Sequence, residues 1–164
     1  DLKVVEGFEG LIPGDFLNQG FDMLKPMMKV QKQQALNASL EDKDKLLNFL
    51  RMEKWISESP DQAGECYRQF MKDLYQQNKL VKGELEVGGK KVNLKNLTAN
   101  LLNIYATEDH LVPPASTTPL NDYVGSTDKE LYSFKGGHIG VFVGSKSQKE
   151  LAHAVTEWLK KRDK

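Results

Sequence analysis

The run LLNIYA, Leu101 to Ala106, is apolar at every position but Asn103 and stops at an acidic loop, TEDHLVPP. A run this short and this continuous fits a strand covered on both faces. A stretch starting near Pro113 reads as a short helix. KELYSF, Lys129 to Phe134, then reads as a second strand ending at GGHIG. A closing helix is expected from about Ser147 to Lys161, with Leu151, Val155, Trp158 and Leu159 as its buried stripe and KKRDK at the negative end of its dipole. Strand, acidic loop, helix, strand, histidine loop, helix is the order of the closing units of an α/β sheet. Such sheets carry their chemistry in loops beyond the carboxyl ends of the strands.

The first half has a different period, and the change falls near Gly83. Pro13 precedes Leu17, Phe21, Leu24 and Met28 at three-and-four spacing, the pattern of an amphipathic helix with Pro at its start, and Pro26 should break it. A second helix is expected over about Leu40 to Ile56, led by the acidic EDKD and carrying Leu46, Leu47, Leu50 and Trp55. A third should follow Ser59 as N-cap and Pro60, with Ala63, Tyr67, Phe70, Met71 and Leu74 inward. GELEVGGKKVNL alternates on both sides of Gly88 and Gly89, a two-residue hairpin signal. No internal repeat or low-complexity segment interrupts the chain.

Composition narrows the function classes. The 23 basic and 23 acidic residues cancel, which argues against nucleic acid as a partner, because that affinity comes from neutralising phosphates. No apolar stretch approaches the roughly 20 residues of a membrane span, and DLKVVEGFEG has no signal-peptide pattern, so the expected compartment is cytoplasmic. One cysteine, Cys66, and three histidines supply no zinc-finger spacing, and no metal is expected. Because the chain opens at Asp1 without an initiator Met and runs straight into ordered-looking sequence, a piece of something longer is one expectation.

Asp109 and His138 each follow a predicted strand, so both should project at one edge of the sheet. A carboxylate on one ring nitrogen fixes the imidazole tautomer and leaves the other nitrogen to take a proton from a nucleophile. The glycines before His138 would let the backbone turn sharply. The competing reading makes Asp109 a turn initiator and His138 a satisfied, half-buried histidine. A nucleophile is harder to find. In the α/β-hydrolase order it precedes the acid and the histidine, but Cys66 sits in GECYR, without the closing glycine of an elbow, and SPDQA before it is not a buried strand. Cys66 therefore reads as a small residue on or near a packed helix. Ser126 and Ser145 lie after Asp109, on the wrong side for that order. His110 is expected to face outward or support its loop, and His153 to be a surface residue. Phe16, Phe21, Met23, Met27 and Met28 would line either an acyl channel or a core, as would Trp55. EDKDK reads as a solvated face.

NIYATEDHLVPPAS followed by KGGHIGVFVGSKSQ resembles the carboxyl-terminal half of the polyhydroxyalkanoate synthases, most closely the two-subunit, short-chain classes that include the Bacillus type. The resemblance continues upstream through FLRMEKWISESPDQAGECYRQFMKDLYQQNKLVKGELEVGGKKVNLKNLTANLLNIY and covers nearly the whole chain. It implies a partial α/β-hydrolase fold, with residues 1–82 a helical lid or cap and residues 83–164 the carboxyl-terminal part of the core. It also implies that Asp109 is the triad acid, that His138 is the general base, and that the nucleophilic cysteine stands in a G-x-C-x-G elbow upstream, absent here. The activity implied is polymerisation of (R)-3-hydroxyacyl-CoA through a cysteine thioester. Acyl-CoA would be the substrate and no cofactor would be needed. The implied partners are a small non-catalytic synthase subunit, the surface of a polyester granule and the missing upstream half. The isolated chain would be inactive. Two rivals stand beside this reading: an esterase or lipase fragment of the same fold that uses water, and a non-catalytic lid or binding module.

Overall fold

Prolines and short caps set the boundaries of the amino-terminal elements. The computed structural model describes residues 2–163, and the chain divides into two compact units, Asp1–Asn78 and Lys79–Lys164.

In the first unit α1 (Leu2–Gly7) leads to a two-residue strand β1 (Leu11–Ile12). Pro13, with φ −60°, then starts α2 (Gly14–Leu24). The chain breaks at Lys25 to Met27, around Pro26 as the sequence predicts, and resumes as α3 (Met28–Ser39). α4 (Lys43–Ser57) starts later than expected because Asp42 is its N-cap, accepting from the N–H groups of Asp44 and Lys45 at 3.1 Å each. Its inward stripe is also displaced. Of the expected stripe Leu46 is half-buried, as are Phe49 and Ile56, whereas Leu47, Leu50 and Trp55 are 39%, 52% and 64% exposed.

The third expected helix is corrected at its start. Ser59 is not its cap. The Ser59 hydroxyl lies within hydrogen-bond distance of both Asn18 Oδ1 (3.0 Å) and the Ile56 carbonyl (2.9 Å), between α2 and the end of α4. The chain first forms β2 (Gln62–Ala63), antiparallel to β1, and only then α5 (Gly64–Gln69), which continues as a π-wound turn over Phe70–Gln76. This strand pair buries Ile12 completely. Two glycines permit it: a Cβ on Gly14 would lie 2.0 Å from the Ser59 carbonyl oxygen, and one on Gly64 would lie 2.6 Å from that of Gly10.

The second unit starts with α6 (Lys79–Lys82) and the expected hairpin, β3 (Glu86–Val87) and β4 (Lys90–Lys91). Gly88 and Gly89 turn it with φ of 56° and 72°, the left-handed pair that a two-residue turn demands. β5 (Leu101–Ala106) and β6 (Lys129–Phe134) have the bounds read from the sequence and pair in parallel. Between them run α7 (Pro114–Thr117) and α8 (Leu120–Tyr123), the former opening on Pro114. The resulting arrangement mixes helix with a small parallel sheet, an α/β architecture. Among the described residues β5 and β6 pair only with each other, and β5 is half-buried rather than covered on both faces.

The closing helix is wound as a π-turn over Ser147–Leu151 and continues as α9 (Ala152–Lys160). Leu151 is buried and Leu159, expected inward, is 55% exposed. Arg162 ties the end of this helix to the start of β6: Nε and Nη2 reach the two oxygens of Asp128 at 2.5 and 2.7 Å, and the guanidinium lies 4.0 Å from the centre of the Trp158 ring.

Candidate active site

Parallel strands in register finish at one edge. Leu101 pairs with Lys129 and Ala106 with Phe134, and the ladder continues into the loops: Thr107 N–H donates to the Phe134 carbonyl (2.9 Å) and Glu108 N–H to that of Gly136 (3.0 Å). These two bonds hold the acidic loop against the histidine loop. Asp109 and His138 stand one and two residues further on, and His138 Nδ1 lies 2.8 Å from Asp109 Oδ2.

The carboxylate is held from both sides. Its other oxygen, Oδ1, accepts the N–H groups of Leu111 and Val112 at 2.9 Å each, and the side chain is only 9% exposed. Burial opposes ionisation and is the largest single influence on this group. The Val112 N–H, the His138 ring and the Leu111 N–H together outweigh it and hold the carboxyl below its ordinary range. An ionised carboxylate only accepts, so the shared proton resides on Nδ1, and it is Nε2 that carries the lone pair whenever the ring is neutral. Among the described residues Nε2 has no hydrogen-bond partner, and the His138 side chain is 43% exposed. The turn-initiator reading of Asp109 also holds, since one carboxylate serves the turn through Oδ1 and the imidazole through Oδ2.

The histidine loop is clasped at its neck. Lys146 Nζ donates to the Lys135 carbonyl (2.9 Å) and lies 5.3 Å from the centre of the Phe134 ring, while the Ser147 hydroxyl donates to the Val141 carbonyl. The glycines before His138 act differently from the expectation. Neither Gly136 nor Gly137 has a positive φ. A Cβ at Gly136 would sit 2.7 Å from the Phe134 ring, so close packing rather than a sharp turn requires the glycine there.

The remaining candidates belong to other elements. Cys66 is exposed on α5 in the first unit. Ser126 is buried and donates to the Leu97 carbonyl (3.1 Å), a structural bond. Ser145, His110 and His153 are exposed. Phe16, Phe21, Met23 and Met27 are 39%, 55%, 78% and 65% exposed on the first unit, so they form no core there. Of the acidic EDKDK run, Asp42 is a helix cap rather than part of a merely solvated face. No three metal-capable side chains gather among the described residues, and no described helix is long and apolar enough to cross a membrane. A cavity of about 480 Å³ beside the last helix, between Asn100, Trp158, Leu159 and Arg162, does not reach the Asp–His pair. The backbone donors of Leu111 and Val112 are the functional groups that the sequence reading missed. The signal available for them was an aspartate two and three residues before free N–H groups, just ahead of the prolines of DHLVPP.

A carboxylate-oriented histidine beyond the carboxyl ends of parallel strands defines the class: an α/β protein carrying an aspartate–histidine pair at its sheet edge. The chain belongs to the family described as PHB de-polymerase C-terminus, whose model matches residues 20–163. It is 52% identical over 164 residues to the poly(3-hydroxyalkanoate) polymerase subunit PhaC of Synechocystis, covering 99% of this chain and 43% of that protein. It is 47% identical to the protein of that name from Allochromatium vinosum (99% of this chain, 46% of the relative). To that of Haloferax mediterranei it is 42% identical (98% and 33%). The chain therefore spans less than half the length of these relatives, and they bear out its resemblance to polyhydroxyalkanoate synthases.

Proposed function

We propose that this chain supplies the acid and the base of a polyhydroxyalkanoate synthase, an acyltransferase that polymerises (R)-3-hydroxyacyl-CoA. The observation that carries the reading is the 2.8 Å contact of His138 Nδ1 with a carboxylate fixed on its other side by two backbone donors. That arrangement presents Nε2 as a base of set tautomer and direction.

The reaction needs a thiol at Nε2, and in this reading a cysteine elbow from the upstream half of the longer protein delivers it. The thiol proton passes to Nε2 as sulfur attacks the acyl carbonyl. The imidazolium returns that proton to the departing CoA thiolate, leaving acyl-cysteine and free CoA. The hydroxyl of another unit then gives its proton to Nε2 and attacks the thioester. A new ester forms and the cysteine leaves, taking the proton back. Asp109 stabilises each imidazolium through Nδ1–H and keeps the ring aimed. The oxyanion hole lies with the nucleophile, outside these residues. In the same reading the fold completes to an α/β-hydrolase sheet, residues 1–82 form its lid, and acyl-CoA is consumed without a cofactor. A small second subunit, the polyester granule surface and a cytoplasmic location complete the proposal.

The family description names a depolymerase, and that favours one alternative. The same pair would activate water against an ester and release hydroxyacid. The relatives named as polymerases, at up to 52% identity over the whole chain, favour the transferase.

The test is to assay CoA release and polymer formation from 3-hydroxybutyryl-CoA by the chain alone and by the chain with a separately expressed upstream half bearing G-x-C-x-G. Silence alone and rescue on addition are expected. CoA release by the chain alone, abolished by His138→Ala, would overturn the fragment reading, and hydroxyacid release from polyester without polymer formation from the thioester would favour the hydrolase.

A further inference from the structure

Asn103 is the one polar residue in LLNIYA and is 6% exposed. A buried amide is tolerated only when its donors are satisfied, and here both are. Nδ2 donates to the Thr117 carbonyl (2.9 Å) and to Asn121 Oδ1 (2.9 Å), while Lys129 Nζ donates to the Asn121 carbonyl (2.5 Å). Thr117 is the last residue of α7, where a helix runs out of N–H partners for its carbonyls, so the amide supplies what the helix end lacks.

What α7 carries on its other side gives this bond a further consequence. The helix opens at Pro114, directly after Pro113 and Val112, and Val112 N–H is one of the two donors that hold Asp109 Oδ1. Few dihedrals between the two points are soft. The prolines fix their own φ and restrict the residues before them. Ser116 N–H bonds the Pro113 carbonyl (2.8 Å) and Thr118 N–H that of Pro114 (2.9 Å). The segment from Asp109 to Thr118 is thus pinned at one end by the aspartate's own carboxylate and at the other by Asn103.

We infer that Asn103 is a positioning residue for Asp109, acting through α7 and the two prolines to hold the Leu111 and Val112 donors where they orient the carboxylate toward His138. This inference rests on the acyl-transfer reading of the pair for its kinetic consequence, and on geometry alone for its structural one. A shift of about 1 Å at a catalytic group costs up to ~100-fold in rate, and a partial loosening is expected to cost about tenfold.

The experiment uses the full-length protein that carries this chain. Asn103→Leu removes both donors at similar volume. Should it fail to fold, Asn103→Thr, compatible with a strand and keeping one donor, takes its place. Ser126→Ala, which loses an equally buried bond in the same unit, is the control. The expected result is a kcat for 3-hydroxybutyryl-CoA lowered about tenfold with KM unchanged, and amide exchange at least about tenfold faster across residues 109–118 but not across residues 101–106. Wild-type exchange together with wild-type kcat would overturn the inference. So would equal losses in Ser126→Ala, or faster exchange throughout the second unit, since either marks a merely structural bond. Wild-type protein that releases no CoA from this thioester would defeat the acyl-transfer reading, and the exchange pattern would then decide the role of Asn103 by itself.

Discussion

Asp109→Asn isolates the tautomer from the geometry. Leu111 and Val112 present only N–H groups to the Oδ1 side, so the new amide must place its oxygen there, keeping both 2.9 Å bonds. Its NH2 is then forced to the position of Oδ2, 2.8 Å from His138 Nδ1, as a donor. Two donors cannot share that contact. The ring must carry its proton on Nε2 and accept at Nδ1, which removes the lone pair that in the proposed mechanism takes a proton from thiol or hydroxyl. Inversion of this kind at an acid–histidine pair costs about 10⁴-fold in kcat in serine proteases. Partial solvent access to His138, whose side chain is 43% exposed, favours some exchange between tautomers and places the expectation at roughly 10³–10⁴-fold. That is about 4–5.5 kcal/mol of transition-state stabilisation. The assay is thiol release from 3-hydroxybutyryl-CoA by the full-length protein, with KM and thermal unfolding measured alongside. A loss below about tenfold in a folded variant would refute the tautomer argument, because the geometry leaves the amide no other orientation that satisfies Leu111 and Val112.

Three further outcomes are expected. Cys66→Ala in the full-length protein should keep most of the activity, and a loss matching that of His138→Ala would make Cys66 the nucleophile after all. Ile12→Ala, at a fully buried position in the β1–β2 pair, should destabilise the protein by about 2–5 kcal/mol in urea unfolding, and a loss under about 1 kcal/mol would mean that this pair does not anchor the first unit. The Asp109 carboxyl is held below its ordinary 3.8 in the folded state, so the unfolded chain protonates first as pH falls. The stabilisation from the pair is therefore complete above about pH 5 and lost as pH falls through the ordinary and then the folded value. The stability difference between wild type and Asp109→Ala should shrink over that range, and a difference that grew on acidification would contradict the assigned direction.

Where an element follows from chemistry along the chain, the sequence was readable. LLNIYA and KELYSF became strands with the expected ends, the Gly88–Gly89 pair turned its hairpin, and Pro26 broke its helix. Each depends on near neighbours: apolar continuity, a left-handed turn, a missing N–H. Readings that depended on which partner packs where fared worse. Leu50 and Trp55 were read inward together with Leu46, but packing left them exposed and turned Phe49 in instead. Ser59 looks like a cap but is used between α2 and α4, and Leu11–Ile12 is too short to signal a strand without its partner Gln62–Ala63.

The candidate site divides along the same line. That an aspartate and a histidine follow successive strands was legible along the chain, because strand ends are written in local apolar runs. Packing set what local sequence left open: the register of the two strands, the bond from Glu108 to Gly136, and the filling of Oδ1 by Leu111 and Val112 that leaves Oδ2 for the imidazole. Register and hydrogen-bond partnership join residues 29 apart in the chain. No local preference encodes such a pairing; it follows from the packing that brings the two strands side by side.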